Sequence, residues 1–163
     1  MMKAILHMPT PAFALARFEE FKASLPLPVA MARQGFGGHI MVDLGTQQSR
    51  DAITNEPQFN WHLWVYMCDW DLYKGNSRIL WRRESNNALA GAVLAQLTGE
   101  TLVQLKYDEQ DACFTFVFSG GFSLNLDPDF YDFDIEDDLF MLFQHNAKDC
   151  LSYSPKRRFY QAA

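Results

Sequence analysis

Hydrophobic and polar positions alternate with a period of two along much of this chain, and follow the period of a helix in only two places. The first helical stretch begins at Thr10-Pro11, a cap followed by proline at the first helical position, where the missing N–H costs nothing. Ala14, Phe18, Phe21 and Leu25 share one face and Arg17, Glu19, Glu20 and Lys22 the other. The pattern predicts a helix over about 11–24, stopped by Pro26 and Pro28. The second runs from Ala88 to Leu97, capped by Asn86 or Asn87 and closed by Gly99, with Leu89, Val93 and Leu97 in one stripe.

The rest reads as strands and turns. Gln34 to Gly38 is a turn, His39–Leu44 a short strand, and the polar residues 45–58 a loop. From Phe59 to Leu72 large side chains occupy both faces, Trp61, Leu63, Val65 and Met67 on one and Trp64, Tyr66 and Trp70 on the other. This predicts a central strand covered on both sides. Arg78–Arg82 returns antiparallel after a turn at Lys74-Gly75-Asn76. Val103–Tyr107, Cys113–Phe118 and Phe122–Leu126 alternate most cleanly, and Ser119-Gly120-Gly121 makes the last two a hairpin with Phe114, Phe116 and Phe118 meeting Phe122, Leu124 and Leu126. Leu139–Phe143 fits strand or helix, Cys150–Tyr153 a last edge strand, and Lys156-Arg157-Arg158 an exposed basic tail. No repeat or long linker divides the chain. The expectation is a single α+β domain over 1–163: a mostly antiparallel sheet of about five to seven strands with two helices packed on it.

Composition narrows the class. With 163 residues, 48% hydrophobic and 21% charged, the chain can bury a core, and its longest apolar stretch falls well short of the roughly 20 residues that cross a bilayer. The opening residues Met1 to Pro9 hold too short an apolar run for a signal peptide, and three scattered cysteines, Cys68, Cys113 and Cys150, read as buried thiols rather than a disulfide framework. A cytoplasmic location, without membrane contact, is expected. The net charge of −6 is unevenly placed: residues 1–100 hold nine acids and nine bases, residues 101–163 eleven and five. Most of the excess lies in Asp127, Asp129, Asp132, Asp134, Glu136, Asp137 and Asp138, with no base in that window. Such a field repels phosphate backbones, which argues against direct nucleic-acid binding, and attracts a cationic partner.

Candidate chemistry is sparse. His7, His39, His62 and His145 have no metal-ligand spacing, and Gly35-x-Gly37-Gly38 precedes a strand instead of opening a helix, so it is a turn and no phosphate loop. Even spacing puts His62 and Cys68 on one strand face. The simpler readings are a histidine with a satisfied hydrogen bond and a thiol packed among rings. The acidic segment fails as a calcium loop, because Tyr131 falls on a ligand position in one frame and Asp137 on the glycine position in another. It remains open as a solvated loop, as paired carboxylates, or as a contact surface in which Phe130, Tyr131 and Phe133 interleave with the carboxylates. No residue is assigned a catalytic role, and no cofactor or metal is expected.

The order of elements carries a resemblance. An aromatic strand Trp61-His-Leu-Trp-Val-Tyr66, a helix ending Leu94-x-x-Leu97-Thr98-Gly99, the strands Leu102–Leu105 and Phe114–Leu126, and an acidic stretch before Leu139–Phe143 resemble small bacterial immunity proteins of polymorphic toxin systems, notably those of contact-dependent growth inhibition. The resemblance implies a non-catalytic protein that binds a cognate toxin domain, such as a basic nuclease, and blocks its active site or substrate groove. The acidic, ring-bearing segment Asp127, Asp129, Phe130, Tyr131, Asp132, Phe133, Asp134, Glu136, Asp137 and Asp138 would be the contact, and its field would speed encounter. Two other readings stay open at this point: a small-molecule enzyme with a cleft by the central strand holding His62, Tyr66 and Cys68, and a mobile-element interaction protein using exposed Trp70 or Trp81. The oligomeric state is not set by the sequence.

Overall fold

The computed structural model describes residues 11–85 and 88–162. The expected caps at Thr10 and at Asn86 or Asn87, and the reading of Met1 to Pro9, lie outside the described residues. Helix α1 (Ala12–Ala23) has the face its spacing predicts: Ala14, Phe18 and Phe21 are fully buried. Its end is closed by the Ser24 amide and hydroxyl, the latter donating to the Phe21 carbonyl at 2.6 Å, before Pro26 forbids another turn. Helix α2 (Ala88–Leu94) continues into a single 3-10 turn over Ala95–Leu97, and Gly99 turns the chain with φ +89°. Its inward face is Ala90, Leu94 and Leu97. Leu89, expected in the buried stripe, is exposed.

Eleven strands follow the chain: β1 (Leu27–Gln34), β2 (Ile40–Arg50), β3 (Pro57–Val65), β4 (Asp69–Lys74), β5 (Ser77–Trp81), β6 (Thr101–Asp108), β7 (Cys113–Phe118), β8 (Phe122–Asp127), β9 (Phe140–Gln144), β10 (Cys150–Ser154) and β11 (Arg158–Ala162). They form one antiparallel sheet in the order β11-β10-β9-β3-β2-β1-β6-β7-β8-β4-β5. The α+β class with two helices stands, but five to seven strands was too few, and each missing strand has a physical cause.

β1 hides behind Pro28 and a bulge between Val29 and Met31, which puts Val29 and Ala32 inward and so breaks the period of two. The supposed loop over 45–58 is the far half of β2 paired with the start of β3. It projects beyond both layers, so neither of its faces becomes apolar. The long strand over 59–72 is two strands in different places, with β3 between β2 and β9 and β4 between β8 and β5. β10 is no edge, because β11 pairs with it along its whole length. The basic tail was expected exposed, yet Arg158 is buried, its guanidinium donating to the Tyr153 hydroxyl at 3.2 Å and to the Glu109 carbonyl.

The sheet folds over on itself. In a flat sheet β7 and β9 would stand five strand spacings apart, about 24 Å at the usual ~4.8 Å each. Instead the rings of Phe114 and Phe140 meet with centroids 4.8 Å apart, and Phe114 and Tyr153 at 4.7 Å. The fold line is the joint between β1 and β6, where only Leu27↔Leu102 and Pro28↔Thr101 are in register. A proline is tolerated there because little ladder remains for its missing N–H to break. The predicted β7–β8 hairpin is present, with Phe116 opposite Leu124 and Phe114 opposite Leu126. Phe114, Phe116, Phe140, Tyr153 and Phe159 fill the space between the layers. Helix α1 closes one side, stacking Phe18 on Phe159 at 4.1 Å and setting Phe21 against Trp61.

Candidate functional site

The acidic segment is the connection from β8 to β9, and its shape comes from its own short side chains. Asp129 Oδ1 accepts the amides of Tyr131 and Asp132 at 3.0 and 3.4 Å, and Asp137 Oδ2 accepts the amide of Asp134 at 2.8 Å. These Asx turns let the loop fold without help from regular structure. Two arginines from the turn after β5 then pin it. Arg82 donates to Asp129 at 2.7 Å and Asp132 at 2.8 Å, lies 3.6 Å from Asp69, and covers the Phe133 ring at 4.9 Å. Arg83 reaches Asp129 at 3.2 Å.

The segment is therefore less negative in space than in sequence. Asp129 and Asp132 are held by Arg82 and Arg83, Glu136 by Lys156, and Asp138 accepts the Tyr160 hydroxyl at 2.6 Å. Asp127, opposite Asp69 in the ladder, and Asp134 have no cation on them among the described residues. Desolvation alone would raise the Asp129 carboxyl, but the Tyr131 amide, Arg83, the Asp132 amide and Arg82 together hold it below its ordinary value. Arg82 is pushed up in spite of its own desolvation by Asp132, Asp129 and Asp69. With the carboxylates turned to these partners, the rings face outward: Phe130 is 53% exposed, Tyr131 91%, and Ile135 beside them 36%.

No family model, curated protein or solved structure matches this chain. Its chemistry has to be read from its own geometry. Among the described residues no group of three or more His, Cys, Asp and Glu is placed to hold a metal ion, and no helix is long and apolar enough to cross a membrane. Two carboxylates of the segment, Asp129 and Asp132, share an arginine. The charge of that arginine helps hold the Asp129 carboxyl below its ordinary value.

The side chains of the enzyme reading do not converge. His62 lies on the outer face of β3, its Nδ1 2.6 Å from Asp43 Oδ1, so it has the satisfied hydrogen bond expected of it. Tyr66 belongs to a separate cavity of about 410 Å³ with His39, Met67 and Phe133. Cys68 is fully buried in the crossing from β3 to β4, its thiol 3.5 Å from the Leu139 carbonyl. The chain leaves its strand between His62 and Cys68, so the shared face is lost. Trp70, proposed as an exposed contact, is 2% exposed, and Trp81 is half-buried under the Arg78 guanidinium at 4.1 Å.

What sequence reasoning missed is the cation side of the loop. Arg82 and Arg83 stand more than 40 residues from their partners in a segment of balanced charge. The one local sign was two adjacent arginines directly after a strand.

Two predictions arise here. Burial pushes the Cys68 thiol well up, and burial with Asp127 pushes Cys113 to about 12, while burial raises Cys150. All three thiols of the native protein will resist iodoacetamide at neutral pH and react once unfolded. Fast native labelling at Cys68 would restore it as a nucleophile.

Burial also raises the Asp138 carboxyl, against the Tyr160 hydrogen bond and Arg157, which lower it. The folded form then holds its proton to higher pH than the unfolded form, so this group's contribution to stability falls as pH rises from the ordinary aspartate value through the raised one. Asp138→Asn keeps the acceptor for Tyr160 and removes that fall. Urea unfolding from the ordinary aspartate value upward will show the variant's stability rising relative to the parent's as pH rises, and a relative fall would contradict the raised value.

Proposed function

We propose that this protein acts by binding another protein and transforms no substrate, in the manner of an immunity protein that neutralises a toxin domain reaching the same compartment. The observation that carries this reading is the pinned acidic loop. Its backbone is fixed by Asx turns and two arginines, while Phe130 and Tyr131 are left in water. Exposed aromatic side chains on a preorganised loop lose little entropy on docking and are the residue types that anchor interfaces.

Charge supports the reading in a reduced form. Asp127, Asp134 and Asp137 flank the rings without cations of their own among the described residues, enough to favour a basic surface such as a nuclease groove. Four of the carboxylates that sequence alone would put at the interface, Asp129, Asp132, Glu136 and Asp138, are already engaged within the chain. Reversing them would unfold the loop, whereas Phe130 and Tyr131 can be changed without disturbing it.

The test pairs this chain with the toxin domain encoded beside it. Co-expression is expected to restore growth to cells making the toxin, and the purified pair to bind in a salt-dependent way. Tyr131→Ala is expected to weaken binding about tenfold with unchanged unfolding midpoint. Full protection and affinity from a Phe130→Ala, Tyr131→Ala double variant would remove the loop from the interface.

A further inference from the structure

A cavity of about 700 Å³ lies elsewhere, on the outer face of β1, β2, β3 and β9. Its floor is one cross-strand row, Met31 opposite Asp43, Asp43 opposite His62, and His62 opposite Phe143. The projecting β2–β3 arm walls one side with Asp51, Glu56 and Phe59. The volume falls in the range of sites for small organic groups, and the mixture of apolar walls with a few polar groups is what such sites carry.

The cavity's carboxylates, Asp43, Asp51 and Glu56, outnumber its one guanidinium, Arg33, with amide side chains among them. Asp43 is 8% exposed, and its two oxygens are taken, Oδ1 by His62 and Oδ2 by the Arg33 guanidinium at 3.2 Å. Arg33 uses Nη1 on Asp43 and on the Met31 sulfur, which sets its charge against Asp43 and leaves Asp51 and Glu56 as the excess charge of the lining. A carboxylate on Nδ1 selects the tautomer that donates from Nδ1, so the nitrogen His62 has left for a ligand is Nε2, an acceptor. On the arm, the Asp51 carboxylate accepts the amides of Ile53 and Thr54, and Glu56 has its carboxylate in no hydrogen bond or ion pair among the described residues. The lining thus carries a net negative charge, with methionine and phenylalanine side chains between its polar groups. A ligand that fits must bring N–H donors and positive charge on an apolar stem, and the rings of Phe59 and Phe143 can also face a cation.

We propose that this cavity is a binding site for an organic cation, a guanidinium or primary ammonium on a short alkyl chain, held by Glu56 and His62 Nε2 with its stem along Met31, Met41 and Phe143. The site is independent of the acidic loop. Its ligand can be a free amine or an arginine or lysine side chain of a bound protein, because the chemistry recognised is the same.

The test uses the whole chain labelled at its methionine methyl groups and titrated with n-butylguanidinium. Saturable shifts at Met31 and Met41 are expected, with pentanoate causing none. Glu56→Gln, a change at an exposed position, is expected to weaken binding about fivefold. Asp43→Asn, which frees Arg33 and disturbs the tautomer of His62, should weaken it too, but Glu56→Gln is decisive because it cannot act by unfolding a buried pair. A blocked Gly-Arg-Gly peptide that binds as well as butylguanidinium makes the natural ligand a protein side chain, and a peptide that is excluded makes it a free amine. Equal shifts from pentanoate, no shifts from either cation, or unchanged affinity in Glu56→Gln would each overturn the proposal.

Discussion

Phe140→Ala is expected to cost about 3–5 kcal/mol of folding stability, the upper range for removing one side chain from a core. Phe140 is fully buried, on β9, and its ring meets Phe114 and Phe116 from the opposite layer and Tyr153 and Phe159 from its own. Truncation leaves a ring-sized void where the two layers meet, and the surrounding rings are too rigid to close it. It also removes edge-to-face contacts worth about 0.5–1.5 kcal/mol each.

The loss bears on the fold line itself. The two halves of the sheet are joined by a short β1–β6 ladder, so face-to-face packing of these rings is what holds one half over the other. Urea unfolding followed by tryptophan fluorescence and by far-ultraviolet circular dichroism measures the effect, with Tyr131→Ala as a surface reference expected within about 0.5 kcal/mol of the parent. A Phe140→Ala cost no larger than that reference would mean that the halves do not pack through this cluster.

How much of this could be read from the sequence depends on how local the determining physics is. Helix α1 and the β7–β8 hairpin were legible because one buried face imposes one period on each. β1 was not, since its bulge changes the inward residue from Val29 to Ala32 out of phase and its prolines mimic a helix stop. The arm at the end of β2 reads as a loop because its residues stay largely exposed, so no apolar positions mark it as a strand. Arg158 looked like part of a solvated tail, and only the arrival of Tyr153 and Glu109 beside it explains its burial.

The same distinction runs through the sites. The acidic segment stood out in the sequence because its excess is contiguous, whereas the arginines that neutralise part of it come from another turn. Asp43 and His62 become partners only through the β2–β3 register, which bulges near Gly45 and Gln47 make unreadable from strand lengths alone.

Arg82→Leu is the second large effect expected, about 1–3 kcal/mol of stability, together with loss of the ordered loop. The substitution keeps an apolar contact for Phe133 but strips Asp129, whose side chain is 11% exposed, of its 2.7 Å bond, takes the nearer cation from Asp132 and removes the one beside Asp69. Arg83 compensates only in part: it already sits 3.2 Å from Asp129 and 3.6 Å from Asp132, and its side chain is 59% exposed, so solvent weakens both pairs.

The pH dependence separates this loss from simple unpacking. Because the Asp129 carboxyl is held below its ordinary value in the fold, its contribution to stability is present above the unfolded value and disappears as pH falls through the folded one. Arg82→Leu removes part of that support. The variant should be weaker than the parent at neutral pH and approach it as the acid is titrated, with the Tyr131 and Asp132 amides exchanging faster at neutral pH. Arg82→Lys restores the charge without the fork that spans two carboxylates, and is expected to recover only part of the loss. If Arg82→Leu keeps the same amide protection and stability at every pH, the loop is held by its own turns. The fixed presentation of Phe130 and Tyr131 would then need no arginine.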